Sequence, residues 1–133
     1  MMKVLLLSVL ICCGLTACAR TNGIALDGRE GAEAQLQVDN ANMASRLKLT
    51  LAQQQRSDGR MQVAIRLKSQ IAYDQALQYR IDWFDENGMP VEPDSTSWQP
   101  LLLHGGEQKV IQASALLPQA AAFHFSVRDV VKD

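Results

Sequence analysis

Arg60-Met61-Gln62-Val63-Ala64-Ile65-Arg66-Leu67-Lys68 alternates apolar and polar side chains along its whole length. A period of two puts Met61, Val63, Ile65 and Leu67 on one face and Arg60, Gln62, Arg66 and Lys68 on the other, the pattern of a strand half-buried against a core. A helix would scatter those apolar positions around its circumference.

The same period recurs on both sides. Upstream, Arg46 to Ala52 places Leu47, Leu49 and Leu51 opposite Arg46, Lys48 and Thr50; a helix through Met43, Leu47 and Leu51 would strand Leu49 on the wrong side. Gln35 to Asp39 is a weaker strand candidate. Downstream, Leu77 to Asp85 sets Leu77, Tyr79, Ile81 and Trp83 against Gln78, Arg80 and Asp82. Asp85-Glu86-Asn87-Gly88 then supplies a reversing turn. Pro90, Pro93 and Pro100 confine the next stretch to loop or edge strand, because proline cannot donate to a ladder. Leu101 to Leu103, Lys109 to Ala113 and Phe123 to Arg128 complete the set, with Phe123, Phe125 and Val127 inward; Ser114 to Ala122 has room for one short helical turn broken by Pro118. About seven short strands separated by turn signals predict an immunoglobulin-like antiparallel β-sandwich with Trp83 in its core.

Composition narrows the function classes. Thirteen basic and fourteen acidic residues leave a net charge of −1 on 133 residues, with Arg and Lys interleaved among Asp, Glu and Gln. That distribution argues against nucleic acid, which asks for a basic stripe. Only His104 and His124 are available as imidazole ligands, and the three cysteines all lie within the first 18 residues. No zinc site, other metal site or cofactor is therefore expected. His124 falls on the outward face of the last strand and reads as a solvated histidine. His104-Gly105-Gly106-Glu107 has a faint likeness to the oxyanion loop of some esterases, but no Gly-x-Ser-x-Gly elbow accompanies it; a turn between strands accounts for the glycines. Asp82, Asp85 and Glu86 lack the alternating ligand spacing of a calcium loop and read as turn and surface residues. Trp98, between Ser97 and Gln99, is expected to pack at a sheet edge or to present an aromatic anchor, so Trp98 and His104 are the candidate interaction surface. No small-molecule ligand is evident.

The N-terminus carries the address. Lys3 and the apolar run Val4 to Leu15 have signal-peptide grammar, and at about 12 residues the run is too short to span a bilayer, which takes about 20. Leu15-Thr16-Ala17-Cys18 resembles the lipobox of bacterial lipoproteins. The resemblance implies cleavage after Ala17 and a diacylglycerol on the Cys18 sulfur, with membrane attachment durable once two or three chains are present. Ala19, instead of Asp, at the next position resembles the outer-membrane pattern of Gram-negative lipoproteins. Three regions follow: a signal peptide at 1–17, an acylated cysteine and flexible tether at 18–33, and a β-sandwich at 34–133. The mature chain of 116 residues, with charge −2 after loss of Lys3, suits one domain.

Tyr79-Arg80-Ile81-Asp82-Trp83-Phe84-Asp85-Glu86-Asn87-Gly88, Ser97-Trp98-Gln99-Pro100, Gly105-Gly106-Glu107 and Phe123-His124-Phe125-Ser126-Val127-Arg128, together with the lipobox, resemble the YcfL family of Gram-negative lipoproteins. The loop at Ala115-Leu116-Leu117-Pro118 departs from the family's pattern. The resemblance implies a periplasm-facing sandwich, in some cases encoded beside an activator of peptidoglycan synthesis, with no catalytic residue to carry over. The function expected is a noncatalytic envelope module that binds an envelope protein by its strand edges or loops. A sandwich subunit of a secretion apparatus is the alternative, and an enzyme acting on the cell wall a third reading.

Overall fold

The computed structural model describes residues 23–92 and 97–130. The apolar run and Cys18 lie outside the described residues, as do Pro93 and residues 94–96. Nine strands and one short helix follow in order: β1 (Ile24–Arg29), β2 (Gln35–Val38), α1 (Ala41–Arg46), β3 (Leu47–Ser57), β4 (Arg60–Ser69), β5 (Gln75–Phe84), β6 (Pro90–Val91), β7 (Gln99–Leu103), β8 (Gln108–Ser114) and β9 (Ala122–Asp129).

Every strand pairing is antiparallel. The larger sheet runs β2-β1-β9-β5-β6, with β7 also paired to β5; the smaller runs β3-β4-β8. The two pack as the expected sandwich, with nine strands in place of about seven. The additions are β6, a two-residue return after the turn, and β1. The coil expected through Glu33 is corrected here: Ile24–Arg29 is an interior strand between β2 and β9, and Ile24, Ala25 and Leu26 are buried. Three glycines and few apolar residues hid it. Two of them are required: a Cβ on Gly23 would come within 1.8 Å of the Val127 carbonyl oxygen and one on Gly28 within 2.4 Å of the Phe123 ring, so this strand passes an aromatic that any side chain would displace.

Alternation decides the core as read. Met61, Val63, Ile65 and Leu67 of β4 face Leu77 and Trp83 of β5 and Phe123, Phe125 and Val127 of β9 in one continuous buried cluster. Leu47 and Leu49 join it from β3. Arg46, assigned to a strand on sequence, ends α1 instead; Asn40 caps that helix by accepting the Met43 N–H at 3.1 Å. The reversing turn is in place: the Gly88 N–H donates to the Asp85 carbonyl at 3.0 Å, with Gly88 at φ +81°, where glycine is the unstrained residue. Between Ser114 and Ala122 the chain bends at Leu116–Leu117 and makes one turn at Pro118–Gln119, where the Ala120 N–H donates to the Leu117 carbonyl at 3.4 Å; no helix forms.

Arg46 and Arg56 lace the layers together. Arg46 donates to Gln75 at 2.8 Å and to Asp129 at 2.9 Å, joining α1 to β5 and β9. Arg56 pairs with Glu30 and donates to the carbonyls of Gly59, Pro118 and Ala120, holding the β8–β9 connection to the β3–β4 hairpin. No described helix is long and apolar enough to cross a membrane.

Candidate functional site

On one side β5 pairs with β7 through Gln75–Tyr79 and with β6 at Trp83–Phe84. Between these stretches, Arg80, Ile81 and Asp82 pair, among the described residues, with β9 alone. In the facing sheet β8 is an edge strand, paired among the described residues only to β4. The two layers leave a cavity of about 190 Å³ between these positions. Its floor is apolar, formed by Tyr79, Ile81, Ile111, Ala113 and Phe125, and Arg80, Ser97, Gln99 and Gln112 rim it. Tyr79 and Phe125 stack with ring centroids 5.6 Å apart, so the floor is set by packing. A free strand edge beside an apolar recess is the geometry by which sheets accept an extended peptide: the backbone pairs with the edge and side chains enter the recess.

Trp98 lies away from the recess, on the outward face of β5 and β9. The Arg128 guanidinium lies 3.8 Å from its ring centroid and that of Arg80 5.3 Å, an aromatic with cations on its face. Arg128 is held by a 2.9 Å bond to Gln78 and Arg80 by a 3.1 Å ion pair with Asp82. Trp98 is half-buried, and its place at the edge agrees with the packing reading. Trp and Arg together form the residue set that dominates binding energy in protein interfaces.

His104 is not part of this cluster. It lies at the far end of β7, about 20 Å along the strand from Trp98, and its Nδ1 is 3.1 Å from Asp74. The His104 N–H donates to the Glu107 carboxylate and the Glu107 N–H to the His104 carbonyl, so Gly105 and Gly106 belong to the turn joining β7 and β8.

The reading of His124 as solvated is also corrected. Asp27 of β1 and Asp82 of β5 sit directly across from it in register, and its Nδ1 bonds the Asp27 carboxylate. The bond to Asp27 raises its pKa above the ordinary 6.5, helped by the charges of Asp27 and Asp82 and opposed by burial and Arg80. Nothing local to His124 points to this, because its partner lies 97 residues away in a segment read as coil. Asp82, Asp85 and Glu86 do not converge: Asp82 holds Arg80, while Asp85 accepts the N–H groups of Asn87 and Met89 and closes the turn. Among the described residues no His, Cys, Asp or Glu group is arranged to hold a metal ion. A second cleft, of about 370 Å³, opens near Asp27, Gly28, Glu33 and Phe84.

Residues 34–129 match the family model described as "Protein of unknown function (DUF1425)". A crystal structure of a DUF1425 family member from Shewanella sp. pv-4 is similar at TM-score 0.59 and 24% identity, covering 86% of this chain and 95% of that one. The crystal structure of cj0090 from Campylobacter jejuni is similar at TM-score 0.54 and 18% identity, covering 65% of this chain and 88% of that one. Both likenesses concern the fold. No curated protein matches the chain in sequence.

Proposed function

The chain belongs to the DUF1425 family, and on that premise we propose that it is a lipid-anchored envelope module of the YcfL type that captures an extended segment of another envelope protein along β8. The observation that supports this reading most directly is the free edge of β8 beside the apolar recess floored by Tyr79, Ile81, Ile111 and Phe125. In this reading the incoming strand pairs with Gln108–Ser114 and one of its side chains fills the recess, while Trp98, backed by Arg80 and Arg128, offers a second contact on the outer face of the larger sheet. The role is noncatalytic: binding and positioning, with Cys18 acylated and the domain held at the periplasmic face of the outer membrane.

A photo-crosslinking amino acid at Gln112 in intact cells, followed by mass spectrometry, tests it. One envelope protein should be recovered reproducibly, and Ala113→Phe, which fills the recess from within, should abolish the product while the domain stays folded. An unchanged crosslink pattern in Ala113→Phe would remove β8 as the binding edge.

A further inference from the structure

The smaller sheet sorts charge in a way the linear sequence conceals. Its strands β3, β4 and β8, of 11, 10 and 7 residues, hold six basic side chains and no acidic one; Arg56 and Lys109 turn to the inner side, toward Glu30 and the Leu102 carbonyl, and Lys48, Arg60, Arg66 and Lys68 stay outward. The rest of the chain carries the other seven basic residues and all fourteen acidic ones. The register sharpens this. Lys48 lies directly opposite Lys68, and Thr50 and Val110 flank Arg66, so the outward residues of these pairs are cationic or uncharged. Like charges opposed across strands destabilise a sheet. Among the described residues no side chain of Lys48, Arg66 and Lys68 has an ion-pair or hydrogen-bond partner. With Thr50 and Gln108 they line a shallow depression of about 260 Å³.

We infer that this face docks on anionic phospholipid headgroups of the membrane that holds Cys18, an inference resting on the lipid-anchor reading above. Position supports this occupant. Gly23, where the described chain begins, accepts the N–H groups of Asp39 and Asn40 ahead of α1. That helix feeds straight into Leu47 and Lys48, and the Arg46 carbonyl accepts the Gln70 N–H beyond Lys68. The entry point of the chain and the cationic patch therefore share one end of the sandwich. Five residues from Cys18 to Gly23 reach at most about 18 Å, and packed sheets are about 10 Å apart, so an anchor at Cys18 lets this face meet the surface. Chemistry also favours lipid. None of the three strands contains an aromatic residue, which a sugar-stacking platform or a protein hot spot would use, whereas a flat cationic sheet suits a plane of phosphates.

The test uses the full acylated chain in vesicles of phosphatidylcholine, alone or mixed with phosphatidylglycerol, labelled with an amine-reactive reagent and read at each lysine by mass spectrometry. Lys48 and Lys68 should label about fivefold more slowly in the anionic vesicles, Lys109 serving as reference, and the difference should vanish at about 1 M salt, where screening acts over about 3 Å. Equal rates in the two lipids, with the protein floating alongside its vesicles, overturn the docking face and leave the anchor standing. Failure to float with neutral vesicles removes the anchor; flotation with anionic vesicles alone would then still support the face, and its absence would overturn it. Protection produced only by added cell-wall glycan overturns lipid in favour of sugar. In Lys48→Gln, Lys68→Gln and Arg66→Gln, each lost charge should weaken vesicle binding about fivefold, with no fall in Tm to confuse the result.

Discussion

Protonated His124 donates to Asp27 and faces Asp82, so its folded pKa lies above 6.5, and the sign of the pH effect follows. The contribution is complete below the unfolded value near 6.5 and is lost as pH rises through the higher folded value. Thermal melts should therefore show the wild type losing stability between pH 6 and pH 9, as round values, with a smaller loss in His124→Gln; parallel curves would show that this pair does not set the dependence. Arg56 acts through its hydrogen bonds. Its guanidinium satisfies three backbone carbonyls and Glu30 at once, so Arg56→Ala should cost about 2–3 kcal/mol and lower Tm by roughly 10 °C, measurable by calorimetry. Neither residue announces itself in the sequence. Both act through partners distant along the chain, and one-dimensional periodicity carries no information about which solvent-facing side chains meet.

Strands rich in β-branched and aliphatic residues were legible because burial on one face imposes alternation: β4 and β9 match their expected inward residues one for one. The interior strand β1 was not, since Gly28 sits where an apolar side chain would have completed the pattern and Phe123 occupies that space instead. Trp98 was legible as an edge residue, whereas the recess is made by β5, β8 and β9 together and exists only after the sheets pack. The placement of β1 has a direct consequence. A chain starting at Ala34, where the sequence reading set the domain boundary, loses buried Ile24 and Leu26 at about 1.5–3 kcal/mol each and exposes the edge of β9. Against a total stability of about 5–15 kcal/mol, denaturant titration of that chain should show no cooperative transition, while one starting at Ala19 should keep it.

For the molecule as a whole, the proposed anchor and the sandwich should be separable. Cys18→Ser should abolish palmitate incorporation and shift the protein out of the membrane fraction without changing its unfolding midpoint, a comparison made by radiolabelling, fractionation and thermal melting on the same variant. Retention in the membrane fraction would mean that something other than acylation holds it. The sorting of charge between layers acts even before contact. Although the net charge of the sequence is only −1, the strands of the smaller sheet carry six cations and no carboxylate, whereas those of the larger balance Asp27, Asp82 and Asp129 against Arg29, Arg80 and Arg128, so the two layers differ in charge. A nearby charged plane then exerts torque more than pull, turning the particle to a preferred attitude, and its isoelectric point says almost nothing about how it behaves there.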